Sequence, residues 1–187
     1  MKKLFLIIGA PGSGKTTDAQ LIAKESDEIT HYSTGDMLRA EVASGSKMGK
    51  EIDGYISKGL IVPIDIAIKT IINAINSAPT DTIILDGYPR SMEQLEALER
   101  YLDNKLKLIS VIEVEVSEQT ARERVLGRAR GADDNDEVFN NRMKVYSEPL
   151  SEIKKFYNDK NILKIISGEG SISQIVSQMQ TFIKSKI

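Results

Sequence analysis

Residues 9–16 read Gly-Ala-Pro-Gly-Ser-Gly-Lys-Thr, a glycine, four residues, then Gly-Lys-Thr. That spacing is suited to holding a polyphosphate. Along Gly9, Ala10, Pro11, Gly12, Ser13, Gly14, Lys15, Thr16 and Thr17 the glycines let main-chain N–H groups turn inward around phosphate oxygens. A helix opening at the end of the loop adds a favourable dipole. Lys15 would reach the β- and γ-phosphates, and the Thr16 hydroxyl is placed for Mg²⁺. The chemistry implied is binding of a nucleoside triphosphate.

A second group of residues lies far along the chain. Asp86-Gly87-Tyr88-Pro89-Arg90 follows an apolar run. A carboxylate ending a strand can order Mg²⁺-bound water, and a cap for the following turn is its plainer alternative. Arg90 stands just past a proline-fixed turn, where ligands sit in open parallel sheets. Further on, residues 127–136 (GRARGADDND) hold two arginines and three aspartates, with Arg124 before them and Arg142 after. Arg124 and Arg128 are four apart, so on a helix they share a face and repel. A bound polyphosphate would relieve that repulsion; a solvated face balanced by Glu123 is the other reading. His31, the one histidine, stands beside a short predicted strand and is assigned no role.

The phosphate loop alone does not choose among switch GTPases, motor ATPases and small-molecule kinases. A guanine reader of the form Asn-Lys-x-Asp is absent; the nearest stretch, Asn104-Lys105-Leu106-Lys107, ends in the wrong residue. No Asp-x-x-Gly switch follows the strand ending at Asp86 either.

The elements that must position these residues alternate. Strands are predicted at 3–8, 29–32, 82–86, 108–114 and 161–166. Helices are predicted at 14–25, 35–43, 47–58, 65–77, 91–103, 117–128, 137–157 and 172–183. Continuous apolar runs such as KLFLII indicate strands buried on both faces, and strands alternating with helices indicate α/β architecture: a five-stranded parallel sheet with helices on both faces. The 187 residues fit one domain, and a net charge of −2 gives no global basic field of the kind that suits nucleic acid. Anionic substrates must be held by local clusters of arginine and lysine. With no cysteine, a disulfide framework and a cysteine-ligated zinc site are both excluded, which fits a reducing compartment. The opening MKKLFLIIGAPG is too short in its apolar run for a signal peptide, and no stretch reaches membrane-span length. A cytoplasmic protein is expected, binding neither nucleic acid nor membrane.

Ser33-Thr34-Gly35-Asp36-Met37-Leu38-Arg39, Gly59-Leu60-Ile61-Val62-Pro63, Asp86-Gly87-Tyr88-Pro89-Arg90 and the phosphate loop, in this order, together resemble the adenylate kinases over almost the whole chain. The resemblance implies a P-loop NTPase fold and reversible transfer of the γ-phosphoryl of MgATP to AMP, giving two ADP. It implies one domain over 1–187, with a small helical AMP-binding subdomain at 31–62 and a lid at 127–136. By the same resemblance, the Thr34 hydroxyl faces the AMP base, and Val62, Gly87 and Gln94 complete that pocket. Arg39 and Arg90 hold the AMP phosphate. Arg124 and Arg128 contact the ATP side, Arg142 the transferring group, and Gly170 lets the backbone approach the ATP base. Mg²⁺ is implied through Thr16 and Asp86, and a monomer is implied.

The lid departs from the family pattern. It is short and cysteine-free, so no structural zinc is expected. Arg130-Gly131-Ala132-Asp133-Asp134 is compressed relative to other short lids, and its arginine is displaced by one position. That leaves open whether Arg130 reaches the phosphates. Asp133 and Asp134 either guide closure or cap the next helix with Asn135 and Asp136. Two alternatives stand beside an adenylate kinase: a UMP/CMP kinase of the same fold, and a nucleotide-binding switch without acceptor chemistry. Thr34-Gly35-Asp36 and Gln94 favour AMP, because the pyrimidine kinases usually differ there.

Overall fold

A computed structural model of the chain describes residues 1–128 and 135–187, with Arg128 described by its backbone alone. The apolar run near the N-terminus forms β1 (Lys2–Gly9), in which Leu4, Phe5, Leu6 and Ile7 are wholly buried. The other strands are β2 (Ile29–Ser33), β3 (Thr82–Asp86), β4 (Leu106–Glu115) and β5 (Leu163–Ser167). They form one parallel sheet in the order β2-β3-β1-β4-β5. This is the five-stranded α/β arrangement expected from the alternating pattern.

Period-2 alternation in β1 sorts the core into two layers. Leu4, Leu6 and Ile8 point to one face, with Ile83 and Leu85 of β3. There they pack on α4 (Ile64–Ser77), α5 (Met92–Glu99) and α8 (Leu150–Asp159), through Ile71, Leu95 and Tyr157 among others. Phe5, Ile7 and Ile84 point to the other face, against α1 (Lys15–Lys24) and α9 (Ile172–Lys184), through Ile22 and Met179. A strand covered on both sides has no polar face to spare, which is why β1 reads as an unbroken apolar run.

Between β2 and α4 the chain inserts α2 (Thr34–Ala43) and α3 (Lys47–Ile56). Their serine caps are explicit: Ser33 Oγ accepts from Asp36 N, and Ser46 Oγ from Gly49 N at 2.8 Å. The pair closes over a separate small core of Leu38, Ile52 and Val62. After β4 come α6 (Glu118–Arg128) and α7 (Asp136–Ser147). No described helix is long and apolar enough to cross a membrane.

Two predicted elements are corrected. The single helix expected over 137–157 is two helices, α7 and α8, separated at Pro149. Proline has no N–H to donate and its ring crowds the preceding turn, so the periodic pattern cannot continue as one rod. The break has a consequence for position: α7 turns Arg142 toward the C-terminal end of the sheet while α8 buries Ile153 and Tyr157 in the core. Helix α5 ends at Glu99 rather than 103. Asp103 Oδ1 instead accepts from Lys105 N at 2.7 Å and Leu106 N at 3.0 Å, a side-chain turn that feeds β4.

Candidate active site

The glycine loop leaves β1 at Gly9 and enters α1 at Lys15, with Gly14 in the left-handed region (φ 95°) as the cap. It sits at the C-terminal end of the central strand, where a parallel sheet presents its crevice. Ser13 N donates to Ala10 O at 3.0 Å, and Lys15 Nζ reaches Ala10 O at 3.2 Å. Thr16 Oγ1 donates to Asp86 Oδ1 at 2.8 Å. Asp86 is buried and ends β3, so the two residues proposed from sequence for Mg²⁺ stand side by side. A hydroxyl and a carboxylate are hard oxygen donors and suit that ion. Among the described residues no three His, Cys, Asp or Glu side chains converge to cage a metal. Thr17 is exposed on the outer side of α1.

The opposite wall is the turn after β3. Gly87 takes a positive φ of 80°, and the turn is tied down three times. Arg90 Nε donates to Gly87 O at 2.8 Å, Arg90 N to Gln94 Oε1 at 2.8 Å, and Tyr88 Oη to Gln94 O at 2.6 Å. Burial pushes the Arg90 guanidinium below its ordinary value; Asp86 opposes the change and the positive charge of Arg39 adds to it. Two guanidiniums that raise each other's energy at the end of a buried strand favour an anion between them. Arg39 also pairs with Asp36 at 2.6 Å. Thr34, Leu38, Val62, Gly87, Arg90 and Gln94 share one small cavity. Thr34 is 4% exposed, and its Oγ1 has no hydrogen-bond partner among the described residues. Gln94, whose Oε1 accepts from Arg90 N, also lines that cavity.

On the third side, Arg124 of α6 bridges two backbones. Nη1 donates to Ser13 O at 3.3 Å and Nη2 to Gly168 O at 3.0 Å. This ties the phosphate loop to the segment after β5. Gly168 is packed closely against its neighbours: a Cβ on it would lie 2.7 Å from Val116 Cγ1 and 3.2 Å from Ser13 O. Gly170 lies exposed just before the Ser171 cap of α9. Lys15, Gly87, Arg90 and Arg142 all line a cavity of about 50 Å³ between these walls. The side chain of Arg128, together with Arg130, Gly131, Ala132, Asp133 and Asp134, lies outside the described residues, and most of the expected lid with them.

His31 was given no role from sequence, yet its Nε2 donates to Asp86 Oδ2 at 2.6 Å. Gly168 and Asp18 were not singled out either; both pack against the loop or beside it. No local motif marks them, because each meets the site only through the fold.

One cavity lined by a phosphate-loop lysine and by arginines from two other elements gathers positive charge suited to phosphate groups. On a parallel α/β sheet with a helical insertion, that arrangement defines the nucleoside monophosphate kinase class of phosphotransferases. The chain belongs to the adenylate kinase family, whose model, described as "Adenylate kinase", matches residues 7–162. It is 66% identical over 190 residues to an adenylate kinase of Helicobacter hepaticus, covering 100% of both chains. It is 64% identical over 185 residues to an adenylate kinase of Campylobacter lari, covering 98% of this chain and 97% of that one. An adenylate kinase of Wolinella succinogenes is 62% identical over 190 residues, with 100% of each chain covered.

Proposed function

We propose that this protein transfers the γ-phosphoryl of MgATP to AMP, reversibly, giving two ADP. The observation that carries the reading is the shared cavity in which Lys15 faces Arg90 and Arg142. ATP would lie on the loop from Gly9 to Thr17 with Arg124 and Arg128 over it and Gly170 near its base. AMP would lie against Thr34, Val62, Gly87 and Gln94, its phosphate held by Arg39 and Arg90, with Arg142 at the group in flight.

An oxygen of the AMP phosphate then bonds to the γ-phosphorus as the bond from that phosphorus to the β–γ bridging oxygen breaks. This reaction needs positioning, positive charge and exclusion of water more than it needs a protein nucleophile. Two guanidiniums can each bind phosphate oxygens bidentately, which fixes the attacking oxygen as well as neutralising it. Mg²⁺, bound with ATP, supplies charge neutralisation at the β and γ oxygens, and Thr16 and Asp86 would hold it, Asp86 through water.

Residues 31–62, with their own small core, would form the acceptor subdomain, and 127–136 the lid over ATP. A monomer in the cytoplasm completes the reading. A chain without cysteine fits a reducing compartment, and light scattering and cell fractionation check the two parts of this reading. The substrate assignment is tested by a coupled assay with AMP, UMP and CMP as acceptors at saturating MgATP. Turnover on AMP at least tenfold above the pyrimidine nucleotides is expected. Fast turnover on UMP or CMP with none on AMP would refute it, and nucleotide binding without transfer to any acceptor would favour a switch.

A further inference from the structure

We propose that His31 is a positioning residue for the metal side of the site, acting by fixing the orientation of Asp86. This rests on the reading above that Asp86 faces a nucleotide-bound divalent cation.

The topology brings the groups together. In the parallel register His31 of β2 lies beside Ile84 of β3. Neighbours in register point to the same face, and Asp86, two residues on, shares that face with Ile84. Ile84 packs in the layer covered by α1, the helix that carries Thr16. A chain of contacts therefore crosses from β2 through β3 to α1. His31 Nε2 meets Asp86 Oδ2 at 2.6 Å, and Thr16 Oγ1 meets Asp86 Oδ1 at 2.8 Å. The His31 and Asp86 side chains are only 7% and 2% exposed. A carboxylate accepts and does not donate, so the imidazole carries its proton on Nε2.

The terminal torsion of an aspartate is broad and roughly two-fold, so packing alone does not hold the carboxylate plane. Buried beside the phosphate loop, a free carboxylate would turn to whichever donor lies nearest. His31 occupies Oδ2 and leaves Oδ1 directed at Thr16 and the space beyond the loop. Losing a partner that orients a direct metal ligand typically costs roughly 10–100-fold in metal affinity. Because Asp86 meets the ion through water, the effect of His31 is set at the low end of that range. The alternative is a plain structural tie between β2 and β3. That alternative predicts a loss of stability without any change specific to the cation.

The test measures ATP binding by calorimetry with Mg²⁺ and with EDTA, no acceptor present, for the wild type, His31→Leu and His31→Gln. The gain in affinity on adding Mg²⁺ should fall about tenfold in His31→Leu, while ATP binding in EDTA changes by less than about twofold. Glutamine carries an N–H donor at a comparable reach and should restore most of the gain. His31→Asn, whose shorter side chain does not reach Oδ2, gives the same readout if the leucine variant does not fold. An unchanged metal gain in His31→Leu would overturn the proposal. So would an equal loss with and without Mg²⁺, or no metal gain in the wild type. None of these outcomes depends on which acceptor the enzyme uses, so they leave the AMP, UMP and CMP comparison independent.

Discussion

Asp18 lies in the first turn of α1, 1% exposed, with no hydrogen-bond partner for Oδ2 among the described residues. Burial raises its pKa from 3.8 to about 6, and the nearby charge of Arg124 only partly opposes that rise. A raised carboxyl pKa means that the folded chain binds the proton more tightly than the unfolded one. Between roughly pH 3.8 and 6 the folded state holds more protons, so this group's contribution to stability falls as pH rises through that window. Above it the loss is constant. At 1.36 kcal/mol per pH unit the full penalty is about 3 kcal/mol, of which about 2 kcal/mol develops between pH 4.5 and 8.

Asp18→Asn keeps the shape and removes the charge. Relative to the wild type, the variant should therefore gain about 2 kcal/mol of unfolding free energy between pH 4.5 and 8. For a chain of this size that is a relative rise in Tm of roughly 4–8 °C. The assay is urea unfolding followed by circular dichroism at five pH values, reading the difference between variant and wild type. Taking the difference cancels the titration of every other group that the substitution leaves alone. A difference that stays flat from pH 4.5 to 8, or grows toward acid, would refute the reasoning.

Two further predictions concern the cavity. Lys15→Ala and Arg90→Ala should each lower kcat by a factor of about 10² or more while the melting temperature stays within a few degrees; near-normal steady-state rates in either variant would remove the proposed roles. Gly59 has φ +71°, and a Cβ there would lie 2.8 Å from Val138 O and 2.9 Å from Arg142 Cγ, so Gly59→Ala should destabilise by about 1–3 kcal/mol in thermal unfolding. It should also raise the KM for AMP, because α7 meets the end of the acceptor insertion there, with Asn141 Nδ2 donating to Lys58 O at 2.9 Å.

What could be read directly from sequence was chemistry that is contiguous in the chain. The phosphate loop needs only nine neighbouring residues, and its flanking strand declares itself because burial on both faces leaves an unbroken apolar run. The turn after β3 was legible for the same reason, since Pro89 and Arg90 follow the apolar strand directly. Pro149 stands in the sequence too, but the helix expected over 137–157 runs straight through it. The apolar positions of α7 and α8 each keep period 3.6, and only the missing N–H separates them. The crowding at Gly168 was not legible, because sequence carries no record of it. It takes Val114, Val116 and Ser13 converging on one α-carbon to reveal which glycine has no room for a side chain.

The His31–Asp86 pair marks a different limit. The two residues are 55 positions apart, and nothing in either neighbourhood refers to the other. Their meeting follows from two facts that local pattern does not supply: β2 pairs with β3 rather than β1, and Ser33 stands opposite Asp86. Once both are given, the rest is forced. A register that pairs Ser33 with Asp86 sets His31 beside Ile84 and diagonal to the carboxylate, on the face that α1 covers. A one-residue slip would turn His31 to the opposite face and leave Asp86 with Thr16 alone. The lone histidine is therefore better judged by strand register than by its identity. In parallel sheets that carry a phosphate loop, the residue two positions before the partner of the terminal carboxylate is the position to inspect for its second hydrogen bond.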